Sequence, residues 1–127
     1  MRVLIVDDDE TFRQALRLLL DGDERIEVIG QAANGEKAVK LALLHRPDIV
    51  TMDIQMPVMD GVEATKQLRY LLPQVKVVLV SASEFGDRAE TARQAGAAAY
   101  VTKTRVFEEL IGVIVRVAAG ENFVIAA

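Results

Sequence analysis

Asp7, Asp8 and Asp9 follow directly on the apolar run VLIV (3–6), and Asp53 closes DIVTMD (48–53). Ser81, Ala82 and Ser83 come at the end of VKVVLVSA (75–82) and just beyond it, and Thr102-Lys103 follow AAAYV (97–101). Carboxylates gathered in one pocket repel one another and raise each other's pKa. A hard divalent cation removes that conflict, and magnesium takes oxygen ligands, commonly one or two carboxylates together with phosphate oxygens. A lysine opposite the acids neutralises a phosphoryl oxygen, and a small hydroxyl can hydrogen-bond another. An aspartate can itself attack phosphorus and form an acyl phosphate. The set suits phosphoryl transfer to a carboxylate, driven by positioning and charge neutralisation.

These residues can act together only if the chain brings four distant segments to one edge. Short apolar runs alternate with stretches of helical period. VLIV (3–6) reads as a strand, and Phe12, Ala15, Leu16, Leu19 and Leu20 then repeat at helical spacing. IEVIGQA (26–32) is a second strand, followed by Ala33-Asn34 and by a helix stripe of Ala38, Leu41, Ala42 and Leu44 that ends at Pro47. After DIVTMD, Asp60 reads as a helix N-cap with Glu63 placed to complete a capping box. That helix carries Leu68, Leu71 and Leu72 and stops at Pro73. A fourth helix is expected over 86–95 with Gly96 at its end, and a fifth over 105–119 with Gly120 after it.

Five strand–helix units follow from this pattern. Strands that are apolar throughout must be covered on both faces. Crossovers through helices make the sheet parallel and right-handed. The expected class is α/β, a doubly wound (βα)5 sandwich in which ligands bind beyond the carboxyl ends of the strands. All the residues named above lie at those ends.

The totals agree. The 127 residues suit one domain, and 51% are apolar, enough for a real core. A net charge of −4 with both signs interspersed argues against direct nucleic-acid binding by this segment. There is no cysteine, so neither disulfide nor thiolate chemistry is available. No apolar run reaches membrane-spanning length, and MRVLIV turns acidic too soon for a signal peptide, so the cytoplasm is the expected location.

VLIVDDD, MDIQMPVMDG, LVSAS and AYVTK, in this order and at the ends of strands one, three, four and five, closely resemble the receiver domain of two-component response regulators. The resemblance covers essentially the whole chain and implies a flavodoxin-like fold with parallel strand order 2-1-3-4-5. It implies that Asp53 is the phosphoacceptor, that Asp8 binds magnesium directly, and that Asp7 acts mainly through water. Gln55 falls where the family lends a backbone carbonyl to the metal. Ser81 and Lys103 match the hydroxyl and the lysine that hold the phosphoryl group, and Ser81 and Tyr100 match the switch pair that turns inward on activation. Gln55 and Ser83 occupy positions that tune the lifetime of the phosphoryl group. A sensor histidine kinase is the implied donor. The domain is then a switch that phosphorylates and dephosphorylates itself, and it is not a turnover enzyme.

DDDET (7–11) also satisfies the D-x-D-x-T pattern of haloacid-dehalogenase-type phosphatases, with Asp7 as nucleophile. That reading lacks the later lysine and acidic pair in the required order, leaves no room for a cap domain, and does not account for MDIQMPVMDG. With Asp7 and Asp8 as the metal pair, Asp9 becomes a helix N-cap or an acid near the positive end of the helix. His45, the sole histidine, is expected on the surface. Many receivers place proline after the lysine; here Thr104 follows, which leaves the geometry of the Lys103–Thr104 bond open.

Residues 1–120 are expected to form the receiver, and 121–127 a tail or the start of a linker. The last helix has a narrow polar stripe and an excess of apolar residues, which suggests a partner, and in the family the fourth helix, fifth strand and fifth helix form a shared dimer and output face. The competing expectation is that Phe123, Val124 and Ile125 fold back on that helix. The end of the chain resembles the receiver end of LuxR-type regulators, so a helix-turn-helix DNA-binding domain is expected to follow. The alternative is a stand-alone receiver that works by protein contact.

Overall fold

The structure, a computed structural model, describes residues 1–83 and 86–127. The elements are β1 (Arg2–Val6), α1 (Glu10–Asp21), β2 (Glu27–Ala32), α2 (Gly35–His45), β3 (Ile49–Asp53), α3 (Gly61–Leu71), β4 (Lys76–Ser81), α4 (Ala89–Ala95), β5 (Ala99–Thr102), α5 (Val106–Ala118) and β6 (Val124–Ala126), with a 3-10 turn over Gly86–Arg88. All strand pairs are parallel, in the order β2-β1-β3-β4-β5-β6.

Alternate residues of each strand feed two separate cores. Leu4, Val6, Val50, Met52, Val77, Leu79 and Tyr100 pack under α2, α3 and α4. Val3, Ile5, Ile49, Val78, Val80 and Val101 pack under α1 and α5. This is why β1, β3, β4 and β5 show no polar alternation: they are covered on both faces, while the edge strands β2 and β6 are partly exposed.

The helix ends follow their capping residues. Asp9 accepts from the N–H groups of Thr11 and Phe12, and Asn34 accepts from Lys37. Asp60 accepts from Glu63 at 2.8 Å, although among the described residues no hydrogen bond returns from the Glu63 carboxylate, so only half of the expected capping box forms. Gly96 ends α4 in the left-handed region at φ +93°. The expected fourth helix over 86–95 divides into the 3-10 turn and a short α-helix. His45 is exposed at the end of α2.

The tail folds back, as the competing expectation had it, but as a strand. Val124–Ala126 lies parallel to β5 as a sixth strand, with Tyr100 opposite Ile125. Val124 is buried against α5, while Phe123 packs on the opposite core. The sheet order is therefore the expected 2-1-3-4-5 with β6 added, and the fold-back of the tail takes up apolar surface that the α5 pattern had suggested for a partner. Val106, Leu110, Val113, Ile114 and Val117 of α5 are buried, and Phe107 is the one large exposed hydrophobic on that helix. The Lys103–Thr104 bond is trans; the one cis bond among the described residues joins Asn122 and Phe123. No helix among the described residues is long and apolar enough to cross a membrane.

The loop between β3 and α3 stores strain. Val58 is exposed and sits at φ 70°, where its branched Cβ crowds the backbone. Holding such a residue there costs about 1–3 kcal/mol, and the extra chain entropy of glycine in the unfolded state offsets part of the relief. Val58→Gly should therefore stabilise the domain by about 1 kcal/mol, read as a higher urea midpoint with an unchanged slope.

Candidate functional site

Strand register carries the four segments to one level. Val6 pairs with Met52, so Asp7 and Asp53 emerge side by side from adjacent strands. Asp53 pairs with Val80, and Ser81 pairs with Thr102, which sets Ser81 one residue higher and Lys103 one higher again. The backbone N–H of Lys103 donates to the carbonyl of Ser81 at 2.8 Å and locks that step.

The acids and the lysine meet. Lys103 Nζ lies 2.9 Å from Asp7 Oδ2 and 3.6 Å from Asp53 Oδ2. Asp7 is 1% exposed, and its Oδ1 accepts from the N–H of Asp9. Its Oδ2, despite the nearby ammonium, receives no hydrogen bond of ordinary geometry. Asp8 is exposed beside it. Asp7, Asp8 and Asp53 each offer an oxygen within 4.8 Å of the others. Three clustered carboxylates, each offering one oxygen, fit a hard cation of oxygen-ligand preference.

Burial is the main influence on Asp53 and works against its charge; the Asp7 carboxylate adds to it, and together they push the pKa up to about 6. Lys103 and the N–H of Gln55, which approaches Asp53 Oδ1 at 3.4 Å, act in the opposite direction. For Lys103, burial opposes the charge, but the contact with Asp7 and the charge of Asp53 outweigh it, so the ammonium is held above its usual range.

A cavity of about 340 Å³ opens beside Asp53, lined by Gln55, Ser81, Ser83, Asp87 and Arg88 among others. Ser81 is buried, its Oγ accepts from the N–H of Ser83 at 3.1 Å, and Ser83 Oγ donates to Asp87. Tyr100 is fully buried under α4. Asp7, Asp8, Asp53, Gln55, Ser81, Ser83 and Lys103 thus gather at the carboxyl edge of the sheet, while Tyr100 lies within β5 below it.

Three residues that the sequence reading did not single out shape the site. Arg13 Nη1 donates to the Asp7 carbonyl at 2.6 Å, and its Nε reaches Gln31. Gly61 lets α3 begin against Asp53: a Cβ there would lie 2.1 Å from the Asp53 carbonyl oxygen. Phe12 places its ring under the Lys103 ammonium. Only Arg13 had a signal of its own, as a cation one turn beyond an aspartate N-cap.

A doubly wound parallel sheet with acids, a hydroxyl and a lysine gathered at its carboxyl edge is the flavodoxin-like arrangement of receiver domains. Residues 3–115 match the family model described as the response regulator receiver domain, and the chain belongs to that family. It is 40% identical over 124 residues to the response regulator GacA of Pseudomonas aeruginosa, which covers 98% of this chain and 58% of that protein. It is 40% identical over 111 residues to a protein-glutamate methylesterase/protein-glutamine glutaminase of Photobacterium profundum, covering 87% of this chain and 28% of that protein. Its structure superposes on that of a two-component response regulator of the LuxR family from Aurantimonas sp. SI85-9A1, with a TM-score of 0.90, 31% identity, and coverage of 95% of this chain and 86% of the other. The chain spans little more than half the length of GacA and about a quarter of the methylesterase. The phosphatase alternative is not favoured, since residues 3–115 match the receiver model and the relative GacA is a response regulator.

Proposed function

We propose that this chain accepts a phosphoryl group on Asp53 from the phosphohistidine of a sensor histidine kinase and so acts as the controlled element of a two-component system. The observation that carries the reading is the Lys103 ammonium set between Asp7 and Asp53, with Asp8 within ligand reach of both. Asp53 Oδ attacks phosphorus in line, the phosphorus–nitrogen bond to the kinase histidine breaks, and the electron pair leaves with the imidazole. With its pKa at about 6, Asp53 is mostly ionised at neutral pH and ready to attack. Asp8, Asp53 and the Gln55 carbonyl would hold magnesium, with Asp7 behind them. When bound, magnesium supplies the positive charge that offsets the phosphoryl oxygens. Lys103 then exchanges its Asp53 contact for a phosphoryl oxygen, and the Ser81 hydroxyl donates to another. Gln55 and Ser83 line the cavity beside Asp53, where they would tune the access of water and thus the lifetime of the acyl phosphate.

The output is transcriptional, through a helix-turn-helix DNA-binding domain attached to this receiver, with residues 121–127 leading toward it. The GacA and LuxR-family likenesses over nearly the whole chain support this. The methylesterase relative makes an enzymatic output domain the second reading. A stand-alone receiver acting by protein contact is a third. A homodimer across α4, β5 and α5 would meet β6 on the β5 edge. The acyl phosphate shifts an existing two-state equilibrium through Ser81 and Tyr100.

Intact mass after incubation with magnesium and a small phosphodonor tests the core of this reading. Wild type should gain one phosphoryl group, and Asp53→Asn none. An adduct that persists in Asp53→Asn and disappears in Asp7→Asn would transfer the nucleophile to Asp7 and overturn it.

A further inference from the structure

We propose that Phe12 is a positioning residue for Lys103, holding its ammonium over an aromatic face so that it points between Asp7 and Asp53. This rests on the reading of Lys103 as the lysine that pairs with the phosphoryl group. Lys103 Nζ lies 4.3 Å from the centroid of the Phe12 ring. At that distance the negative face of the ring attracts the cation, and the more so because both are partly shielded from water. Without this contact the flexible four-carbon stem of lysine would leave the ammonium free to choose between two carboxylates at 2.9 and 3.6 Å.

Two neighbours set the ring itself. The carboxylate of Asp9, the third aspartate of the triplet, accepts from the N–H of Phe12 and so fixes where α1 begins and where this side chain leaves it. Phe107 of α5 meets the ring edge-on, with centroids 6.0 Å apart and planes at 73°, a favoured aromatic geometry. Phe107 is 51% exposed, so its burial is a small part of the core, and its ring packs on the ring that carries the lysine. Asp9, Phe12 and Phe107 therefore form a bracket that joins the start of α1 and the start of α5 behind one catalytic ammonium.

Phosphorylation by a small phosphodonor in the presence of magnesium, followed by intact mass, is compared for wild type, Phe12→Leu, Phe12→Tyr and Lys103→Met. Phe12→Leu keeps the apolar bulk but loses the π face, and should slow phosphorylation about five-fold, while Phe12→Tyr stays within about two-fold of wild type. A readout that packing alone would not move is the NMR position of the Lys103 side-chain methylenes. Ring current should shift them upfield in wild type and in Phe12→Tyr, and Phe12→Leu should return them to ordinary values. A wild-type rate in Phe12→Leu with unmoved Lys103 resonances overturns the proposal. Should Phe12→Leu fail to fold, the wild-type spectrum decides: unshifted methylenes overturn it, and upfield ones support it. A wild-type rate in Lys103→Met removes the role of the lysine itself, and the proposal with it, but leaves Asp53 as acceptor untouched.

Discussion

Gly61→Ala should destabilise the domain by about 3 kcal/mol and slow phosphorylation of Asp53 as well. The added Cβ would stand 2.1 Å from the Asp53 carbonyl oxygen, 2.9 Å from its carbon and 3.0 Å from Ile54 Cα. All three are backbone atoms, so no side chain can swing aside. The Gly61 N–H also donates to the Ile54 carbonyl at 2.7 Å, and Asp60 caps the same turn through Glu63, so α3 cannot retreat without losing both bonds. The strain must then pass into the end of β3, which carries Asp53. Urea unfolding measures the first effect, and the phosphorylation rate of the folded fraction the second. A loss below about 1 kcal/mol would show that the start of α3 moves freely and that the close approach has no mechanical consequence.

The second large effect is expected from Asp53→Asn, which should abolish phosphorylation and yet stabilise the metal-free domain at neutral pH. The pKa of Asp53 lies at about 6 in the fold, against an ordinary value of 3.8. The folded state therefore binds the proton more tightly than the unfolded chain. Between pH 3.8 and about 6 the native state holds more protons, so the stability contributed by this group falls as pH rises through that window and levels off above it. Asparagine does not titrate. Below the window the two proteins should be similar in stability, and above it the variant should lead by about 1–2 kcal/mol, less than the full shift implies because water reaches the site and Lys103 loses one partner. Thermal unfolding in chelator, at pH values on either side of the window, gives the comparison. Magnesium should reverse the order, since it binds the folded wild type with its full set of carboxylates and the variant with one fewer. Equal stabilities at both pH values would mean that Asp53 is not held against its charge.

Much of this was legible in the chain because it depends on local pattern. Apolar runs of strand length separated by helix-period segments force a two-sided parallel sheet, and such a sheet brings every strand end to one edge. Asp7, Asp8, Asp53, Ser81 and Lys103 could therefore be assembled from their places after strands, and Asp9, Asp60 and Gly96 as helix caps, since a cap acts on its own turn. What lay beyond reach depends on contacts between segments far apart in sequence. The three-residue strand β6 has too little pattern to announce itself, and it forms because β5 leaves an edge open and the two cores accept Val124 and Phe123 on opposite faces. The shape of Gly61 matters only because Asp53 turns back on it. Phe12 read as one more apolar residue of a helix stripe until the end of β5 placed Lys103, and the start of α5 placed Phe107, against it. The raised pKa of Asp53 likewise comes from burial and from Asp7 across the strand gap. Local pattern in the chain is enough to say which groups can meet and at which edge. Their distances, their charges and what holds them come from the fold, because those quantities are sums over neighbours that only the folded chain brings together.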